Sequence, residues 1–256
     1  MILFISPHLD DIALSCGGYV RQLASRGAQV TIATVCTADR PVGQPLSDTA
    51  AFVHGEWQLG DDQPYAFRRA EDVRACAVLG ATPIHLDLLD AIYRHDDGPS
   101  VQPLYARSAA PDSGRRNFIG GDVHPHDWRY FALRVKQALQ VPMCDAEHVY
   151  CPLGIGGHVD HVIVRGAVEA LAIASHLTYY EDYPYADKLD WRDSDVTAGL
   201  APTLVHLGEA EIAARIDAIA CYASQQVALF KPAETMPTRV RNYIAAAGGE
   251  RYWKHR

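Results

Sequence analysis

Ile2-Leu3-Phe4-Ile5-Ser6-Pro7-His8-Leu9-Asp10-Asp11-Ile12 begins with four apolar residues, breaks at a Pro-His step, and continues with two adjacent acids. The apolar run is the length of a short buried strand. From Asp10 to Arg26 the spacing changes to that of a helix. Ile12, Leu14, Tyr19, Val20 and Leu23 recur on one face, and Gly27 closes it. Gln29 to Val35, rich in Val, Ile and Thr, reads as the next strand. A strand, a helix and a strand within the first 35 residues predict a parallel βαβ unit.

The alternation continues downstream. Helices are expected over Phe67–Leu79, Trp128–Gln140, Asp160–Ser175 and Glu209–Ala223. Strands are expected over Pro83–Leu88, His148–Pro152 and Leu177–Tyr180, with a further one over Thr203–Leu207. Right-handed crossovers then give a Rossmann-like, doubly wound α/β sheet of order near 3-2-1-4-5. Its ligand crevice should lie beyond the carboxyl ends of strands 1 and 4. No shift in composition divides the chain, so residues 1–256 are read as one domain. The long connections 37–66 and 90–127 are read as walls over the crevice. The basic, aromatic stretch Arg251–Arg256 is read as a packed tail.

Of 256 residues, 48% are hydrophobic and 21% charged, which excludes wholesale disorder. The net charge of −8 argues against a nucleic-acid partner held by a basic surface. The five-residue apolar start is too short for a signal peptide, and no run of about 18 apolar residues suggests a membrane span. None of the six cysteines forms a CxxC pair, so buried reduced thiols in a cytoplasmic protein are expected. Whether the chain forms a homo-oligomer is left open.

Two clusters carry chemistry. His8 and Asp11 can be drawn together by the first helical turn, and imidazole nitrogen with carboxylate oxygen suits zinc. The same residues also read as a helix N-cap and a loop histidine. The second cluster, Gly156-Gly157-His158-Val159-Asp160-His161, follows the strand at 148–152 and opens a helix. If strands 1 and 4 are neighbours, both clusters face one crevice. Asp122–Asp127, with His124 and His126, has a metal-like composition. It is read instead as surface histidines before a helix capped by Asp127. Arg115, Arg116 and Lys231 are read as solvated charges.

Pro-His-x-Asp-Asp after a first strand, with His-x-Asp-His later, resembles the LmbE/PIG-L de-N-acetylases, which remove acetyl groups from N-acetylglucosaminyl compounds. Arg68-Arg69-Ala70-Glu71, Leu86–Asp90, Tyr180–Tyr185 and Tyr222–Gln225 extend the resemblance. It implies His8, Asp11 and His161 as zinc ligands and Asp10 as general base. It implies His158 as the histidine that stabilises or protonates the reacting amide, and Asp160 as its orienting carboxylate. Arg68 and Asp90 fall at positions that contact the sugar. Zn²⁺ is the implied cofactor, with Fe²⁺ or Co²⁺ as substitutes, and an amino-sugar conjugate is the implied small-molecule partner.

The chain departs from the family pattern at Ile12 and Val159. Some members carry an oxyanion-donating tyrosine just before the second motif. Here the stretch is Gly154-Ile155-Gly156-Gly157, so that donor is expected from His158, the metal or another loop. Two other readings are a metal-dependent phosphohydrolase, which the histidine-rich ligands disfavour, and a non-catalytic carbohydrate-binding relative, which the intact Asp10, His8, Asp11 and His161 disfavour.

Overall fold

The computed structural model describes residues 1–60, 64–98, 101–105, 119–188, 191 and 195–256. Arg115 and Arg116 lie outside the described residues. The opening strand is β1 (Ile2–His8), followed by α1 (Asp11–Ser25) and β2 (Val30–Cys36). Then come α2 (Asp48–Trp57), α3 (Pro64–Leu79), β3 (Thr82–Leu88), α4 (Ala132–Cys144), β4 (His148–Pro152), α5 (Val159–Glu169) and β5 (Leu177–Tyr180). The chain continues through α6 (Tyr185–Lys188), β6 (Leu200–Val205), α7 (Glu209–Ala220), α8 (Ala223–Leu229), α9 (Met236–Ala247) and β7 (Glu250–His255).

The sheet order is β3-β2-β1-β4-β5-β7-β6. β1 pairs in parallel with β2 and β4, β2 with β3, and β4 with β5. The central strands β1 and β2 are buried almost throughout, because helices cover both faces of a parallel sheet. β1 and β4 are therefore neighbours, and the crevice opens beyond their carboxyl ends.

Two expectations need correction. Residues 251–256 are not a packed tail: Glu250–His255 form β7, antiparallel to both β5 and β6. Tyr252 is buried in this strand, and six residues rich in aromatics are enough to bridge two sheet neighbours. The 37–66 connection is also not irregular throughout. It carries α2, whose N-cap Ser47 accepts the Ala50 N–H.

α1 is broken at Cys16, whose φ of −144° is not helical. The fully buried Arg215 bridges the break, donating to Glu250 Oε1 at 2.9 Å and to the Leu14 carbonyl. Glu250 in turn accepts the Gly18 and Tyr19 N–H groups. A Cβ at Gly18 would stand 2.9 Å from Glu250 Oε1, so glycine leaves room for that carboxylate. The helix backbone groups freed by the break are thus satisfied by one buried ion pair. No disulfide forms, and among the described residues no helix is long and apolar enough to cross a membrane.

Candidate metal centre and active site

His8 ends β1, Asp11 opens α1, and His161 lies in the first turn of α5. Adjacent parallel strands bring the two turns together. Asp11 Oδ2 accepts the His8 backbone N–H at 2.8 Å and lies 3.4 Å from both His8 Nδ1 and His161 Nε2. The imidazoles of His8, His158 and His161 form a group whose ligand atoms all lie within 4.8 Å of one another.

Two carboxylates decide which ring nitrogens are left for a metal. Asp160 Oδ2 bonds His8 Nε2 at 2.9 Å, and Asp182 Oδ1 bonds His161 Nδ1 at 2.6 Å. Each carboxylate favours a proton on the nitrogen it touches, leaving His8 Nδ1 and His161 Nε2 with lone pairs. Those are the two nitrogens nearest Asp11. Two imidazoles and a carboxylate so arranged suit a divalent transition metal, and a zinc-like ion fits the donor set. Cys36 joins His8 and Asp160 in a second group of the same size. Burial, then the Asp160 carboxylate, hold its thiol well above the ordinary value, so it is a poor ligand.

The electrostatics reflect dense packing of charge. Burial pulls the His8 pKa down, but Asp90, Asp11 and Asp160 outweigh it and hold His8 well above its ordinary value. Burial would raise Asp11, yet His161 and His8 hold it low. Burial pushes Asp10 up to about 7, against the pull of Arg68. That places a carboxylate in the range useful to a general base at neutral pH. Asp10 has φ 129°, a strained region for a residue with a side chain, and it makes no capping bond to α1. Its carboxylate is thus not spent on the helix N-terminus.

His158 and Asp160 depart from the expected pairing. The Asp160 carboxylate lies 2.6 Å from Arg94 Nη2 and accepts the Ala91 N–H, besides holding His8. Only its backbone N–H reaches His158, donating to Nδ1 at 3.2 Å. Burial, then His8, push the His158 pKa well below its ordinary value. A neutral imidazole that accepts at Nδ1 carries its proton on Nε2 and is a donor there.

Arg68 and Asp90 are both buried in the wall of the site. The Arg68 guanidinium sits 4.4 Å over the Trp57 ring, donates to the Leu9 carbonyl at 2.7 Å and lies 3.5 Å from Asp10. α2, unforeseen in the sequence, supplies the Trp57 that covers it. Asp90 accepts the Tyr65 hydroxyl and the Ile92 N–H, and lies 3.6 Å from His8 Nε2. Asp127 is not a helix cap. It is buried and accepts from Arg94 Nε and the Tyr105 hydroxyl. His126 pairs with Asp97 at 3.0 Å, away from the centre.

Sequence reasoning missed Asp182 and Arg94. Asp182 lay in the Tyr180–Tyr185 segment, at a strand's carboxyl end, and that position was the available signal. Arg94 is one arginine in a long connection and carried none.

The family model of the GlcNAc-PI de-N-acetylases, PIG-L, matches residues 3–172. The chain belongs to this family. Among PIG-L relatives, it is 32% identical over 215 residues to the 2′-N-acetylparomamine deacetylase of Streptomyces fradiae, covering 82% of this chain and 66% of that protein. It is 29% identical over 172 residues to a 1D-myo-inositol 2-acetamido-2-deoxy-alpha-D-glucopyranoside deacetylase of Corynebacterium glutamicum, covering 67% of this chain and 52% of that protein. The chain thus spans just under two thirds and about half of the lengths of these two relatives. The zinc-inhibited form of teicoplanin deacetylase Orf2 has the same fold, with a TM-score of 0.80 at 28% identity over 98% of this chain and 96% of that one.

Proposed function

We propose that this chain is a zinc-dependent N-deacetylase that hydrolyses the acetamide of an N-acetylglucosamine-containing small molecule or conjugate. The observation that carries the reading is the meeting of His8, Asp11 and His161 beside a strained Asp10 that makes no capping bond, at the switch point of the sheet. The relatives named above are deacetylases of amino-sugar compounds, which supports the same substrate class. His8, Asp11 and His161 would hold the metal, which when bound supplies Lewis acidity toward the acetamide and its attacking water.

The chain's own residues supply the proton chemistry. Asp10 takes a proton from the attacking water as the water oxygen adds to the carbonyl carbon, and returns it to the amine nitrogen as the C–N bond breaks. The products are acetate and a free amine. His158 Nε2–H donates to the acetamide oxygen as charge builds there. Arg68 holds the Leu9–Asp10 turn and tempers the basicity of Asp10. Asp160 and Asp182 fix the rings of His8 and His161. Arg68 and Asp90 also shape the wall of the site. The absence of disulfides fits a reducing, cytoplasmic setting.

The test is amine release from 2′-N-acetylparomamine, N-acetylglucosaminyl-inositol and N-acetylglucosamine by the full chain, loaded in turn with Zn²⁺, Fe²⁺ and Co²⁺. Release of free amine with acetate in equal amount is expected. A metal-replete chain that releases neither from any of the three overturns the reading.

A further inference from the structure

Arg94 lies in the connection after β3 and is buried with its charge. Its donors leave in three directions. Nε donates to Asp127 Oδ2 at 2.8 Å, Nη1 donates to the Leu89 carbonyl at 2.9 Å, and Nη2 lies 2.6 Å from Asp160 Oδ1. The guanidinium also rests over the Phe131 ring, 3.9 Å from its centroid. Asp127 is held in turn by the Tyr105 hydroxyl at 2.7 Å, and that hydroxyl accepts the His124 N–H. A planar fork fixed at three points and laid on a ring has one orientation left.

Asp160 passes that orientation on. Its Oδ1 meets Arg94, while its Oδ2 meets His8 Nε2 at 2.9 Å and accepts the Ala91 N–H at 3.1 Å. With both oxygens engaged from opposite sides, the plane of the carboxylate is set. A ring held at Nε2 by a fixed carboxylate has the direction of its other nitrogen fixed as well. That nitrogen, His8 Nδ1, lies 3.4 Å from Asp11 Oδ2 in the candidate metal centre. Arg94 also reaches the crevice wall through Asp127, and this wall is tied to the second motif. The Gly121 N–H donates to the Gly157 carbonyl, and the Val159 N–H to the Ile119 carbonyl. One guanidinium thus joins the wall, the turn before α5 and the ring of His8.

We propose that Arg94 is a positioning residue for the reaction, aiming the His8 imidazole at the metal through the Asp160 carboxylate. Its effect on turnover rests on the deacetylase reading above, whereas its effect on metal binding rests on the geometry of the cluster. The guanidinium meets Asp160, and Asp160 meets His8, so Arg94 acts at one remove. A lysine at this position keeps the charge but is a single point. It cannot hold Asp127, the Leu89 carbonyl and Asp160 together in one plane.

The experiment compares wild type, Arg94→Lys, Asp160→Asn and the double variant as full chains, with folding followed by circular dichroism. Three quantities are read: Zn²⁺ affinity by competition with a chelator, the visible absorption of the Co²⁺-loaded chain, and kcat and KM on the best of the three substrates named above. Arg94→Lys should weaken Zn²⁺ binding by roughly 10-fold, as expected when a metal-ligating histidine loses an orienting partner. The Co²⁺ bands should shift, and kcat at saturating metal should fall with KM unchanged. Where Asp160→Asn is already present, Arg94→Lys should cost little further affinity, because the two act in series. Asp127→Asn loosens the fork from its other side. It should move the Co²⁺ bands in the same direction, and it serves where Arg94→Lys does not fold. Wild-type affinity and bands in a destabilised Arg94→Lys chain, unmoved bands in Asp127→Asn, or independent losses in the double variant overturn the role of Arg94. Absence of turnover in metal-loaded wild type overturns the deacetylase reading instead, and affinity and bands still decide for Arg94.

Discussion

Asp182 Oδ1 lies 2.6 Å from His161 Nδ1, and the other oxygen of the same carboxylate accepts the N–H groups of Gly154 and Ile155. One side chain at the end of β5 thus holds both a ring nitrogen of His161, in the candidate metal centre, and the loop leaving β4. Asp182→Asn presents an N–H₂ in place of one oxygen and loses that dual grip. Metal affinity should fall by roughly 10- to 100-fold, the usual effect of losing such a partner. Competition against a chelator, with folding followed by circular dichroism, checks this. Unchanged affinity would mean that His161 is oriented by packing alone.

Asp10→Asn should keep its metal and lose about 10²- to 10⁴-fold in turnover, because the amide cannot accept a proton. The same change should stabilise the metal-free chain. Burial raises the folded pKa of Asp10 to about 7, so its contribution to stability is fully present at low pH and is lost as pH rises toward 7. The gain in Tm should therefore be larger at pH 8 than at pH 5. A gain independent of pH would assign it to relief of the strained backbone instead.

Arg68→Ala removes the cation that pulls the Asp10 pKa down. The base must be ionised to act, so the acid limb of the kcat/KM profile should move to higher pH. A rise in KM with an unmoved limb would favour direct contact between Arg68 and substrate.

Arg94→Met strips the cation from two buried carboxylates, Asp160 and Asp127. Removing one partner of such a cluster costs about 3–5 kcal/mol. Urea unfolding should report a loss of that size, and a loss under 1 kcal/mol would show that the carboxylates take up protons at little cost.

His158→Ala should retain full metal occupancy, since its Nδ1 accepts a backbone N–H and its Nε2 carries a proton. Elemental analysis of the purified variant decides it: loss of the metal makes His158 a ligand.

The parallel core was legible because β1, β2 and β4 are short runs of β-branched and apolar residues bounded by turn signals. The two polar clusters were legible because each follows such a run directly. Partner choice was not legible. Asp160 turned from His158 to His8 because Arg94 and the Ala91 N–H hold its carboxylate from the far side, and neither carries a sequence signal. That Trp57 would lie on Arg68 was not legible, because nothing in the stretch 48–57 announced a helix there. β7 was missed because six residues with mixed charge alternate too weakly to declare a strand.

The placement of β7 between β5 and β6 bears on synthesis of the chain. A ribosome delivers the residues from β1 to β6 before it delivers Glu250. Until then β5 has an open edge, β6 has no neighbour to pair with, and the break in α1 lacks its carboxylate. An unpaired strand edge is a template for joining another chain. Nascent molecules stalled short of residue 250 should therefore be the aggregation-prone species, and should recruit chaperones in a way the finished chain does not.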